Sequence, residues 1–220
     1  LLARAQARGA DRVATFGTVG SNHALATALY AHSLGYLCTC FLSQQQATPN
    51  VPRTLNMHRR LGTEIVLWGG TDRLARYRKY LQGRNTWVIP LGGTCWLGAL
   101  GFVNAGLELA QQVVDGEIPA PSRIYIACGT TGSAAGLALG LAAAGVKANV
   151  QAVQVADNPF ASERKMRKLM AKTHHMLRRL DPSFDAAGWQ EKIIVPNHNK
   201  IAINFYSNFS RIDIPKTIIV

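Results

Sequence analysis

Short, nearly unbroken apolar runs alternate along this chain with longer stretches in which apolar and small residues recur at helical spacing. The runs at 12–16, 36–42, 64–68, 86–91, 123–128, 150–155 and 192–195 read as strands. Run 36–42 (YLCTCFL) shows no polar alternation, as expected of a strand covered on both faces. Between them, 22–34, 53–61, 72–81, 98–114, 134–144 and 162–180 read as helices, several closed by a glycine such as Gly9, Gly35 or Gly62 just past the last helical turn. Strand and helix in strict alternation imply right-handed crossovers and parallel sheets, so the fold class is α/β with two such sheets.

The Pro- and Gly-containing stretch 115–122 is the expected boundary. It would divide a smaller α/β domain, 1–115, from part of a larger one, 122–196. The remainder, 197–220, shows neither period and is expected to be an atypical tail outside the α/β pattern.

Composition excludes several classes. Of 220 residues 48% are hydrophobic, and 20 Gly suit closely packed helices rather than a disordered chain. No run of about 18 apolar residues occurs, and LLARAQARGAD reads as the end of an amphipathic helix rather than a signal sequence, so a soluble, cytoplasmic protein without a membrane partner is expected. A formal charge of +12 raises nucleic acid as a partner. Much of that charge lies in 73–84 and 164–179, which read as solvated helix faces, so no nucleic acid is expected. The four cysteines include no C-x-x-C pair and the six histidines no ligand spacing, so they read as buried thiols in a reducing compartment and no metal site is expected.

Candidate chemistry lies in three glycine loops, each at the C-terminal end of an expected strand, where open parallel sheets bind ligands in a crevice. The first is VATFGTVGSNHALATALYAHSL, where Gly17 and Gly20 precede Ser21-Asn22-His23 at a helix start. Ser21 there either caps the helix or faces an anion drawn to the helix N-terminus. The second, Cys128-Gly129-Thr130-Thr131-Gly132-Ser133, offers close backbone approach and three hydroxyls to a phosphate. It has neither the lysine of a nucleoside-triphosphate loop nor a full G-x-G-x-x-G. The third is Gly92-Gly93-Thr94.

In this order the motifs GxxxSNHxxxTA, xIPLGGTxxLGALGFVNAGLEL and ACGTTGSAAGLALGL resemble the family of 1-aminocyclopropane-1-carboxylate deaminase and D-cysteine desulfhydrase. The resemblance runs from the first residue to about position 195. It implies two parallel three-layer α/β/α units of the tryptophan synthase β-like kind and pyridoxal 5'-phosphate as cofactor. The implied activity is deamination or desulfhydration of a small amino acid, releasing ammonia and a 2-oxo acid, with a homodimer as the expected assembly.

By the same resemblance Asn22 contacts the cofactor's ring hydroxyl, Ser21 lies beside the substrate as nucleophile or carboxylate contact, and His23 stands where the family carries His or Gln. Gly129, Thr130, Thr131, Gly132 and Ser133 match the phosphate loop, with Thr131 in place of a usual glycine. Gly92, Gly93 and Thr94 line the substrate side. The family's Schiff-base lysine belongs to a Gly-Asn-Lys motif upstream of the first loop, and none of the eight lysines here stands in that context. Residues 197–220 show no equivalent of the family's downstream tyrosine or its partner for the pyridine nitrogen. The expectation is therefore a chain truncated at both ends, inactive alone for want of that lysine. The alternative is a non-catalytic phosphate- or nucleotide-binding α/β fragment.

Overall fold

A computed structural model describes residues 1–70, 72–155, 161–191, 193–194 and 217–219. The chain divides into two compact units, Leu1–Gly93 and Thr94–Val220. Among the described residues no helix is long and apolar enough to cross a membrane.

In the first unit the order is α1 (Leu2–Ala7), β1 (Arg12–Thr18), α2 (Asn22–Ser33), β2 (Leu37–Ser43), α3 (Asn50–Arg60), β3 (Glu64–Leu67), α4 (Arg73–Leu81) and β4 (Thr86–Val88). The four strands form one parallel sheet in the order β3-β2-β1-β4. Ala24, Thr27, Ala28 and Ala31 are the buried face of α2. Such small side chains let α2 lie close to the sheet, where its alanines pack with Val13, Cys38, Cys40, Leu42 and Ile89. A separate aromatic cluster joins β1 and β2 to α4, with Phe16, Phe41, Trp68 and Tyr77 centroids 5.1–6.0 Å apart. Helix α3 begins at Asn50 rather than at the expected 53. Pro52 falls in its first turn, where the backbone has no carbonyl partner to lose, so the proline does not delay the helix.

His58 on α3 is fully buried, and neither ring nitrogen has a hydrogen-bond partner among the described residues. Burial holds its pKa below the ordinary 6.5. The unfolded chain therefore takes up this proton first, and stability is lost as pH falls through 6.5 toward the folded value. Between about pH 6.5 and 5.5 the expected loss from this one group is up to about 1 kcal/mol. Urea unfolding across that range should show a shallower pH slope in His58→Leu than in the parent; equal slopes would assign the acid sensitivity elsewhere.

The second unit contains α5 (Trp96–Val114), β5 (Arg123–Cys128), α6 (Gly132–Ala143), β6 (Asn149–Gln154), α7 (Glu163–Leu180), β7 (Ile193–Ile194) and β8 (Thr217–Ile219). Its parallel sheet runs β7-β6-β5-β8. Every residue of α6 from Ala134 to Ala142 is buried, as an apolar-all-round helix requires. The core around it includes Ile124, Ile126, Leu137, Leu141, Val150, Met166 and Met170.

Two expectations change here. The division falls at Gly93–Thr94, not in the 115–122 stretch, because α5 packs on α6 and so belongs to the second unit. Glycines make that packing: a methyl on Gly106 would sit 2.8 Å from the Leu137 carbonyl oxygen, and one on Gly136 2.7 Å from Phe102 Cβ. Position 197 onward is not wholly outside the α/β pattern either, since Thr217–Ile219 pair parallel with β5 at the sheet edge. Residues 195–216 and 220 of the expected strand end and tail lie outside the described residues.

Candidate functional site

In the first unit, β1 runs into a tight turn before α2, closed by a hydrogen bond from the Ser21 N–H to the Thr18 carbonyl at 2.9 Å. Ser21 has extended backbone angles and its Oγ accepts from the Ala24 N–H at 3.2 Å, so it does cap α2. Capping uses one lone pair, and among the described residues no acceptor takes the hydroxyl proton. Gly17 is fixed by this arrangement, because a Cβ there would lie 2.6 Å from Ser21 Cβ. The Gly20 N–H donates to Gln45 Oε1 at 3.2 Å, so Gln45 from the loop after β2 also holds the turn. Asn22 is exposed at the first position of α2.

His23 is half-buried and its Nε2 lies 2.9 Å from Thr15 Oγ1. Thr15, fully buried on β1, has its hydroxyl 3.1 Å from the Ile89 carbonyl oxygen. The contact holds the His23 ring against Thr15 in either imidazole tautomer. Burial pushes the His23 pKa down, and a hydrogen bond with the Pro90 backbone partly opposes that shift. The ring borders the turn at Gly92 and Gly93, whose φ values of 63° and 65° are left-handed. A Cβ on Gly93 would stand 3.4 Å from His23 Cε1. Neither Thr15 nor Gln45 carries a sequence signal, since one sits inside an apolar strand and the other in a polar loop.

In the second unit the loop from Cys128 to Ser133 joins β5 to α6. Helix α6 starts at Gly132, earlier than the expected 134, and its preceding residue Thr131 has φ 76°. A β-branched side chain in that region is strained by about 1–3 kcal/mol. Thr131 is 3% exposed, whereas Gly129, Thr130, Gly132 and Ser133 are half-buried and accessible. Burial pushes the Cys128 thiol pKa up, and a hydrogen bond from the Thr131 backbone N–H partly offsets that. On the other side of the loop Thr94 Oγ1 donates to Thr130 Oγ1 at 2.6 Å. Thr94 was expected on the substrate side, yet its hydroxyl is committed to the second loop.

These residues fit a phosphate ester. Among the described residues no side chain caps α6, and its first turn carries no carboxylate. Among those residues its first backbone N–H groups thus have no side-chain acceptor and its first turn no negative charge, at the positive end of a 12-residue helix. The structure therefore gathers Ser21, Asn22, His23 and Gly93 in the first unit, and Thr94 with the loop 129–133 in the second.

A family profile described as pyridoxal-phosphate dependent enzyme matches residues 1–196. Nocardicin C-9' epimerase of Nocardia uniformis subsp. tsuyamanensis is 37% identical over 165 residues, covering 70% of this chain and 50% of that protein. D-cysteine desulfhydrase of Salmonella choleraesuis is 37% identical over 151 residues, covering 64% of this chain and 45% of that protein. The chain thus spans about half the length of the curated relatives it matches. Among solved structures, an ACC deaminase homologue matches with a TM-score of 0.66 at 27% identity, over 80% of this chain and 55% of the other.

Proposed function

The chain belongs to the pyridoxal-phosphate dependent enzyme family, and from that premise we propose that it forms the phosphate-anchoring and substrate-orienting part of a deaminase or desulfhydrase. The substrate class is a small amino acid of the 1-aminocyclopropane-1-carboxylate or D-cysteine type, and the products are ammonia and a 2-oxo acid. Similarity to a D-cysteine desulfhydrase and to an ACC deaminase homologue supports that class. The observation that carries the reading is the start of α6, an uncapped helix N-terminus behind a left-handed Thr131.

When bound, pyridoxal phosphate supplies an electron sink for charge left on the amino acid's α carbon. The chain's own residues bind and orient. Gly129, Thr130, Thr131, Gly132 and Ser133 form the phosphate cradle, using backbone N–H groups and accessible hydroxyls. Asn22, exposed at the first position of α2, would donate from its amide to the ring hydroxyl of a bound cofactor. Ser21, whose proton no acceptor takes among the described residues, turns that O–H toward the substrate while its oxygen keeps the helix cap. Neutral His23, its ring fixed against Thr15, lines the substrate side, and Gly93 leaves space beside the ring. No lysine here stands in a Gly-Asn-Lys context, so these 220 residues taken alone are expected to hold the cofactor without a covalent link and to turn over nothing.

The full-length protein, supplied with cofactor and either D-cysteine or 1-aminocyclopropane-1-carboxylate, should release ammonia and a 2-oxo acid from one of them, with sulfide from the former. Release from neither, with no cofactor bound, would leave the non-catalytic phosphate-binding reading. Ser21→Asp gives a sharper test within the chain. Asp caps a helix about as well as Ser, so the thermal midpoint should hold, while the added negative charge should weaken pyridoxal 5'-phosphate binding by about tenfold or more. Unchanged affinity would make Ser21 a cap and nothing further.

A further inference from the structure

We propose that Thr94 is a positioning residue of the phosphate loop, which directs the hydroxyl proton of Thr130 outward to a phosphate ester. The inference rests on the reading of 129–133 as the phosphate cradle. Thr94 and Thr130 are 36 positions apart, and both belong to the second unit. Their hydroxyl oxygens lie 2.6 Å apart with Thr94 as donor. A hydroxyl has one proton and two lone pairs. Once Thr94 occupies a lone pair on Thr130, Thr130's own proton remains for a third group. A hydroxyl that accepts one hydrogen bond is also polarised to donate another more strongly.

Packing makes the contact more than an incidental hydrogen bond. A Cβ on Gly132 would sit 3.2 Å from Thr94 Oγ1 and 3.8 Å from Thr94 Cα and Cβ, so the first residue of α6 rests on Thr94. Left-handed Thr131 follows Thr130 directly, so the residue that Thr94 holds leads into the strained step before α6. Of the accessible loop hydroxyls, Thr130's is thus oriented by a second residue. Thr94 acts through Thr130 on the cofactor's phosphate, rather than on the substrate side where its motif suggested.

The test is a double-mutant cycle read by affinity for pyridoxal 5'-phosphate relative to pyridoxal, which isolates the phosphate contribution. The expected result is that Thr94→Val and Thr130→Val each lower this ratio by about tenfold, the size of one lost hydrogen bond to a charged group. Thr94→Ser should restore it, and the double variant should fall no further than Thr130→Val alone. Circular dichroism identifies any variant that fails to fold, and Thr94→Ala then replaces the valine. A parental ratio of one would overturn the phosphate-cradle reading and this inference with it. A parental ratio well above one that survives Thr94→Val, or losses that multiply in the double variant, would overturn the role of Thr94 alone.

Discussion

Gly140→Ala should destabilise the second unit by about 3 kcal/mol or more, against the usual sign of that substitution. In an exposed helix interior, replacing glycine by alanine stabilises by about 1 kcal/mol, because alanine loses less backbone entropy. Gly140 is in α6 where that helix meets α5. A methyl there would overlap the Val103 carbonyl oxygen and lie 3.0 Å from both the Val103 carbonyl carbon and Gly106 Cα. All of these are backbone atoms, so no rotamer change relieves the overlap and the helices must separate. Separation exposes apolar surface along the whole α5–α6 seam, which explains why the cost exceeds that of an ordinary overpacked side chain. Gly101→Ala on α5 is the matched control: it is exposed, a methyl there has nothing within 4 Å, and it should stabilise by about 0.5–1 kcal/mol. Urea unfolding of the two variants measures both signs. A neutral or stabilising Gly140→Ala would mean that the helices do not approach as closely as described.

Ser133→Asp should separate folding from binding still more sharply. Ser133 is the second residue of α6, whose first turn holds no acidic side chain. A carboxylate there interacts favourably with the helix dipole, and the gain is about 0.3–1 kcal/mol. For a bound phosphate the same charge is repulsive. At about 4 Å and an effective dielectric near 20, one unit of like charge costs about 4 kcal/mol, before counting the hydroxyl donor that is lost. The expected outcome is an equal or higher thermal midpoint together with pyridoxal 5'-phosphate affinity reduced about 100-fold or more. A variant whose midpoint rises while its affinity collapses excludes general damage as the cause. Retained affinity would show that the phosphate does not sit at this helix.

Much of the architecture was legible because the two periods are clean. Strand β5 matches its expected bounds, and α7 differs only in that Ser162 is its cap, accepting from the Lys165 N–H, rather than its first residue. What local reading missed is non-local. The boundary was set at 115–122 by Pro and Gly, yet the division depends on Gly106, Gly136 and Gly140 finding one another across a helix pair, which no window of sequence displays. Gly132 and Ser133 read as loop residues, so the expected start of α6 falls late, whereas left-handed Thr131 admits the chain to the helix directly.

In the candidate loops the sequence displays the glycines and hydroxyls but not the residues that hold them. Sequence alone leaves Ser21 between cap and ligand contact, and in the structure it caps α2. Thr15 and Gln45 were invisible because a threonine in an apolar strand and a glutamine in a polar loop gain meaning only from what they meet, His23 in one case and the Gly20 N–H in the other. Thr94 was read by its neighbours in sequence, Gly92 and Gly93, while its hydroxyl is claimed by Thr130.

The proposed seat of the cofactor's phosphate is the N-terminus of α6. The most direct measurement is the phosphorus-31 spectrum of the protein with pyridoxal 5'-phosphate, followed through the second phosphate ionisation. A free phosphate monoester titrates near pH 6. Held by the N–H groups and hydroxyls of this loop, the dianion should give a line that stays constant from about pH 5.5 to 8, and Ser133→Asp should return it to the free titration. A line that titrates near pH 6 in the parent protein, or one that Ser133→Asp leaves unmoved, would contradict the account.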